Sequence, residues 1–169
     1  MTLPGIFVNT AATARIKLPD EAATVALARR LAPALIDGGV LYLRGELGTG
    51  KTTFARALLR ALGVGERVKS PTYSLLERYV VNGRDAFHLD LYRIADAGEL
   101  EWLGLDELDA PGTIVLVEWP ERGRGALPAP DLEVVLEHDG AGRQGELRPL
   151  SARGQGWMTV MKQGQREGR

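Results

Sequence analysis

Residues 45–52 read GELGTGKT and fit the pattern G-x-x-x-x-G-K-[ST]. The loop follows VLYL at 40–43, a short buried strand, and opens a helix predicted from Thr52 to Leu62, with Phe54, Leu58 and Leu62 on one face. This order constrains the chain more than any other feature. Glycines let the backbone curl so that successive N–H groups point inward, and the positive end of the helix adds to them. Such a nest takes phosphate. Lys51 is placed to reach the β- and γ-phosphates of a nucleoside triphosphate, and the Thr52 hydroxyl to ligate Mg²⁺. Gly45, Glu46, Leu47, Gly48, Thr49, Gly50, Lys51, Thr52 and Thr53 are therefore candidate nucleotide-binding residues.

The rest of the chain fits an α/β fold of the P-loop NTPase class: a mixed, mostly parallel central sheet with a β-hairpin insertion and flanking helices. TARIKL at 13–18 suits an edge strand, and Asp20 caps a helix predicted from Glu21 to Ile36. The runs 72–81 and 85–92 flank Asn82-Gly83, a hairpin signal. On the second run Phe87, Leu89 and Leu91 share one face, and His88, Asp90 and Tyr92 the other. Residues 96–109 carry six acids and no base and read as short helical turns. Strands follow at 113–117, 132–137 and 145–150. Residues 1–163 read as one domain, the stretch after Ser151 has no clear period, and residues 164–169 read as a disordered tail.

A phosphate loop needs an acid near its metal, at the end of an apolar neighbouring strand. TIVLVEWP at 113–120 supplies that strand and ends on Glu118, the candidate second metal ligand beside Thr52. Trp119 can pack the Glu118 backbone, shape the nucleotide site, or face a partner. Asp90 in HLDLYR can orient the attacking water or sit at the surface, with His88 and Tyr92 read as its neighbours rather than as catalysts. Lys51, Asp90 and Glu118 form the catalytic set. Thr72 in KSPTY can approach the γ-phosphate from a switch-like loop, or belong to a Ser-Pro turn.

Composition removes other chemistries. With no cysteine and only two histidines, His88 and His138, thiol catalysis, disulfides and clustered zinc ligation are excluded. The net charge of −1 gives no bulk attraction to nucleic acid or anionic membrane. No apolar run reaches the ~20 residues of a membrane span, and no signal peptide is visible, so a cytoplasmic protein without membrane partners is expected. Three functions remain open on pattern alone: an ATPase, a small-molecule kinase using the arginines of ERGRG at 121–125 as a lid, and a nucleotide-dependent regulator.

The segments GELGTGKTTFARALLRALG, VKSPTYSLLERY, FHLDLYRIAD, ELEWLGLDE and VEWPERGRGALP, in this order and spacing, resemble the TsaE (YjeE) family over about residues 15–140. The resemblance implies a P-loop ATPase with ATP and Mg²⁺ that works with TsaB and TsaD. That pair attaches threonylcarbamoyl to adenosine 37 of tRNAs reading codons that begin with A, so tRNA is met indirectly, through the complex. On the matching motifs, Lys51 and Thr52 take phosphate and metal, Asp90 is the acid needed for hydrolysis, and Glu118 is the second metal position, with Trp119 beside it. Thr72 lies in the switch-like loop. Glu21 and Arg143 resemble positions close to the nucleotide base. HLDLYR stands where HFDLYR is more usual.

Overall fold

Strands apolar on both faces belong in the middle of a sheet, and VLYL and IVLV lie there. The computed structural model describes residues 13–69, 71 and 74–166. Strand β2 (Gly39–Arg44) runs parallel to β5 (Ile114–Glu118), with Leu43 beside Glu118. On the far side of β5, β4 (Arg84–Asp90) is also parallel and sets Asp90 beside Glu118. Strand β6 (Leu132–Asp139) is parallel to β2 on its other edge. Antiparallel strands extend both sides: β3 (Leu76–Val81) pairs with β4, β7 (Gly142–Pro149) with β6, and β1 (Ala14–Leu18) with β7. Among the described residues the order is β1-β7-β6-β2-β5-β4-β3. The mixed sheet with a parallel centre is as expected, and so is the hairpin. Asn82 and Gly83 both have positive φ (50° and 75°), as a two-residue turn between twisted strands requires.

Because side chains alternate along each strand, the sheet splits the core. Leu41, Leu43, Ile114, Leu116 and Val134 pack under helices α1 (Glu21–Leu31), α2 (Lys51–Leu59) and α3 (Ala152–Gly164). Tyr42, Phe87, Leu89, Val115 and Val117 face the other way, with Leu100 and Leu108 from the acidic turns of 97–109. The carboxyl ends of β2, β5 and β4 thus open at one edge. Strand β2 has parallel neighbours on both sides there, the place where open α/β sheets form a crevice.

Strand ends shift by a few residues, with β3 beginning at Leu76 and β4 ending at Asp90, and three helical segments differ from expectation. α1 stops at Leu31, and Ala32–Leu35 tightens into a 3₁₀ turn because Pro33 has no N–H for an α-helical bond. α2 stops at Leu59 and widens over Arg60–Val64, where Gly63 turns at φ 109°. The stretch after Ser151 is helix α3, which buries Trp157, Met158 and Met161 against the sheet.

Asp131 ties α3 to the start of β2. One carboxylate oxygen accepts from the Val40 N–H (2.8 Å) and the other from the Ser151 hydroxyl (2.6 Å). Ser151 in turn caps α3 by accepting from the Gly154 N–H (3.0 Å). A methyl on Gly154 would sit 1.8 Å from the Asp131 backbone oxygen, whereas one on exposed Gly156 would meet nothing within 4 Å. Gly154→Ala should therefore destabilise the fold by about 3 kcal/mol. Gly156→Ala should stabilise it by about 1 kcal/mol, the helix-propensity gain of alanine over glycine. Urea unfolding of both variants checks this; equal effects would mean that α3 is not docked through Asp131.

Candidate nucleotide site

The loop from Gly45 to Gly50 leaves β2 and enters α2 through three glycines with positive φ, 145° at Gly45, 78° at Gly48 and 99° at Gly50. At Gly45 space also excludes any other residue, since a Cβ would lie 2.3 Å from the Leu136 backbone oxygen. Thr49 is buried beneath the loop and donates its hydroxyl to the Glu46 carbonyl (2.8 Å), which holds the curl closed. From β7, Arg143 donates to the Gly48 carbonyl (2.9 Å) and braces the loop from outside.

Lys51 is almost wholly buried. Its ammonium donates to the carbonyls of Gly45 (2.6 Å) and Glu46 (2.8 Å) and lies 4.2 Å from the centre of the Trp119 ring. Burial lowers its pKa, and the charge of Glu118 partly opposes that fall. Glu118 is 1% exposed. One of its oxygens accepts from the Thr52 hydroxyl (2.7 Å) and the other lies 2.6 Å from His88 Nε2. Asp90, half-buried at the end of β4, accepts from the Tyr92 N–H (3.1 Å). Burial raises its pKa above the ordinary carboxylate range, and the Glu118 charge adds to the rise.

Trp119 has φ 57° and ψ 49°, a left-handed conformation rare for a large aromatic. It sets the ring toward Lys51, 5.1 Å from Tyr92 between ring centres, and the Arg122 guanidinium lies 5.4 Å from both rings. Lys51, Tyr92 and Trp119 meet in a cleft of about 450 Å³. Leu47, Gly48, Gly50, Lys51, Thr52, Thr53, Asp90, Glu118 and Trp119 line it, together with Glu21 and Arg143 from α1 and β7. Gly45, Glu46 and Thr49 shape the loop from behind: two lend carbonyls to Lys51, and Thr49 closes the turn. Thr72 lies outside the described residues.

A family model described as threonylcarbamoyl adenosine biosynthesis protein TsaE matches residues 18–145. The chain belongs to the TsaE family. It is 38% identical over 135 residues to a Haemophilus influenzae TsaE relative named a tRNA threonylcarbamoyladenosine biosynthesis protein, covering 77% of this chain and 85% of that protein. A Bacillus subtilis relative of the same name is 38% identical over 122 residues, or 72% of this chain and 75% of its own length. The crystal structure of YdiB from Bacillus subtilis superposes with a TM-score of 0.75 at 26% identity, covering 91% of this chain and 97% of that one. The fold is that of a P-loop NTPase, as this TsaE chain's motif requires.

Sequence reasoning passed over Thr24, which lines the cleft, read Tyr92 only as a neighbour of Asp90, and did not foresee the contact between His88 and Glu118. Strand alternation put His88 and Asp90 on one face, which was the available signal. In the structure that face is buried at His88 and half-buried at Asp90.

Asp90 gives a stability test with a defined sign. Its folded pKa is raised, so charging it costs the folded state more than the unfolded one, and the stability it allows falls as pH rises through that window. Asp90→Asn keeps the acceptor for the Tyr92 N–H and removes the charge. The variant should melt above wild type near pH ~7, and the gap should shrink as pH falls to ~4 and below, where the unfolded carboxyl also takes up its proton. Thermal melts across this range check it; a gap that widens on acidification would reverse the sign.

Proposed function

We propose that this chain is a Mg²⁺-dependent ATPase that supports TsaB and TsaD in forming N6-threonylcarbamoyladenosine at position 37 of tRNAs reading codons that begin with A. It meets tRNA only through that complex, in the cytoplasm. One observation carries the ATPase reading: Lys51, Thr52, Asp90 and Glu118 converge in a single cleft at the carboxyl ends of β2, β4 and β5. Family membership and the names of the relatives support the tRNA-modification role.

The residues divide the work by chemistry. The N–H groups of the glycine loop and of the first turn of α2 bind phosphate oxygens. Lys51 is held next to them and can exchange its two carbonyl contacts for phosphate. Among the described residues no cluster of three or more acidic, histidine or cysteine side chains could hold a metal by itself. The Thr52 hydroxyl and the Glu118 carboxylate, two hard oxygens 2.7 Å apart, fit Mg²⁺, which takes one or two protein oxygens and completes its shell with phosphate and water. Bound there, Mg²⁺ would neutralise charge on the β- and γ-phosphates. Asp90 is placed to orient water, and its raised pKa brings it nearer to the range of a useful base. Trp119 shields the Lys51 ammonium and walls the cleft. Glu21 and Arg143 stand where they can meet the nucleoside end.

Hydrolysis is favoured over phosphoryl transfer by the ERGRG segment. Pro120–Gly123 is one 3₁₀ turn, and Arg122 packs on Tyr92 and Trp119 while donating to the Ile94 carbonyl (3.4 Å), an inward role unlike that of a mobile lid.

Lys51→Ala should weaken ATP binding by roughly 30-fold or more, the loss expected for a buried charge partner. Glu118→Gln should bind ATP nearly as well but hydrolyse it slowly. Asp90→Asn should lower the rate by about 100-fold with a small change in affinity. Fluorescent-nucleotide titration and steady-state phosphate release, each with and without TsaB and TsaD, test the set. Wild-type affinity in Lys51→Ala, or a rate indifferent to the partner pair, would falsify the assignment.

A further inference from the structure

His88 is a completely buried histidine that the proposed chemistry does not use. It lies on β4 two residues before Asp90, on the sheet face beneath α2. Its Nε2 meets Glu118 Oε2 at 2.6 Å, and its Nδ1 is buried with no hydrogen-bond partner among the described residues. A buried polar atom left unpaired destabilises the fold, so packing alone is a poor reason for an imidazole here. Donation to a carboxylate puts the ring proton on Nε2, which leaves Nδ1 as a bare acceptor, less costly than an orphan donor.

The partner explains the residue. Glu118 has three rotatable side-chain bonds and almost no access to water. Thr52 binds only its Oε1, at 2.7 Å. Without His88, Oε2 would be a buried acceptor lacking a donor, and the carboxylate could rotate away from Thr52. We propose that His88 is a positioning residue: by fixing Oε2 it keeps Oε1 directed at the Thr52 hydroxyl, where the two proposed Mg²⁺ ligands meet. This rests on the proposed function, with His88 orienting one ligand from the layer behind the site.

Two substitutions of similar polarity separate positioning from packing. His88→Gln offers an amide N–H at about the reach of Nε2; His88→Asn offers one only at the reach of Nδ1. The measurement is the affinity for a non-hydrolysable ATP analogue by calorimetry, with Mg²⁺ and with EDTA, alongside thermal unfolding of the protein without nucleotide. His88→Asn should lose about ten-fold of the gain that Mg²⁺ confers while its EDTA affinity stays at the wild-type value, and His88→Gln should keep most of that gain. His88→Asn should melt below His88→Gln, because it leaves Oε2 a buried acceptor without a donor, while its unchanged EDTA affinity reports an intact glycine loop. A wild-type Mg²⁺ gain in His88→Asn, or equal losses in both variants, would overturn the positioning role alone. A wild-type protein with no Mg²⁺ gain would overturn the functional reading together with it.

Discussion

A carboxylate with almost no access to water must take its hydrogen bonds from the protein, and Glu118 is such a carboxylate. Its two donors come from different layers: Thr52 from the first turn of α2 and His88 from β4. Satisfying one buried charge therefore fixes the height and rotation of the helix above the sheet. It also fixes the glycine loop, because that loop is the only link between β2 and α2. Leaving either oxygen bare would cost more than an ordinary hydrogen bond is worth, so the interaction stabilises the site geometry more than the fold as a whole.

Around this pair the cleft concentrates unfavourable terms. Two carboxylates end adjacent strands in register, and the charge of Glu118 adds to burial in making Asp90 harder to ionise. Lys51 is buried and leans on carbonyl dipoles and an aromatic face. Trp119 holds a left-handed backbone that costs about 1–3 kcal/mol. Pro120 contributes by disfavouring the right-handed helical region for the residue before it. Tension of this kind is tolerated because two apolar layers brace the sheet on either side.

Distant parts of the chain serve the same edge. Arg143 comes from the last hairpin yet braces Gly48, and Glu21 comes from the first helix. Asp131 locks the start of β2 to α3, so the strand that feeds the glycine loop is anchored at its opposite end as well.

Local chemistry made much of this legible in the sequence. GELGTGKT dictates its loop because only glycine accepts those φ values and only a helix start presents those N–H groups. IVLV must be a central strand because both its faces are apolar, and Asn82-Gly83 must be a turn. Lys51, Thr52, Asp90 and Glu118 could be named because each stands at a strand or helix end beside a local pattern. The exact ends of α1 and α2 were less legible, since a single proline and the packing of a widened turn decide them. The helix after Ser151 was hidden because Trp157, Met158 and Met161 show their purpose only against the sheet. The sequence by itself determined which segments become strand, loop and helix, since backbone sterics and side-chain period are local properties. Only the tertiary structure decided that Glu118 meets His88 across two strands, that Trp119 lies over Lys51, and that Arg143 reaches Gly48. Those contacts join residues 30 to 95 positions apart, and nothing local to either partner encodes the distance between them.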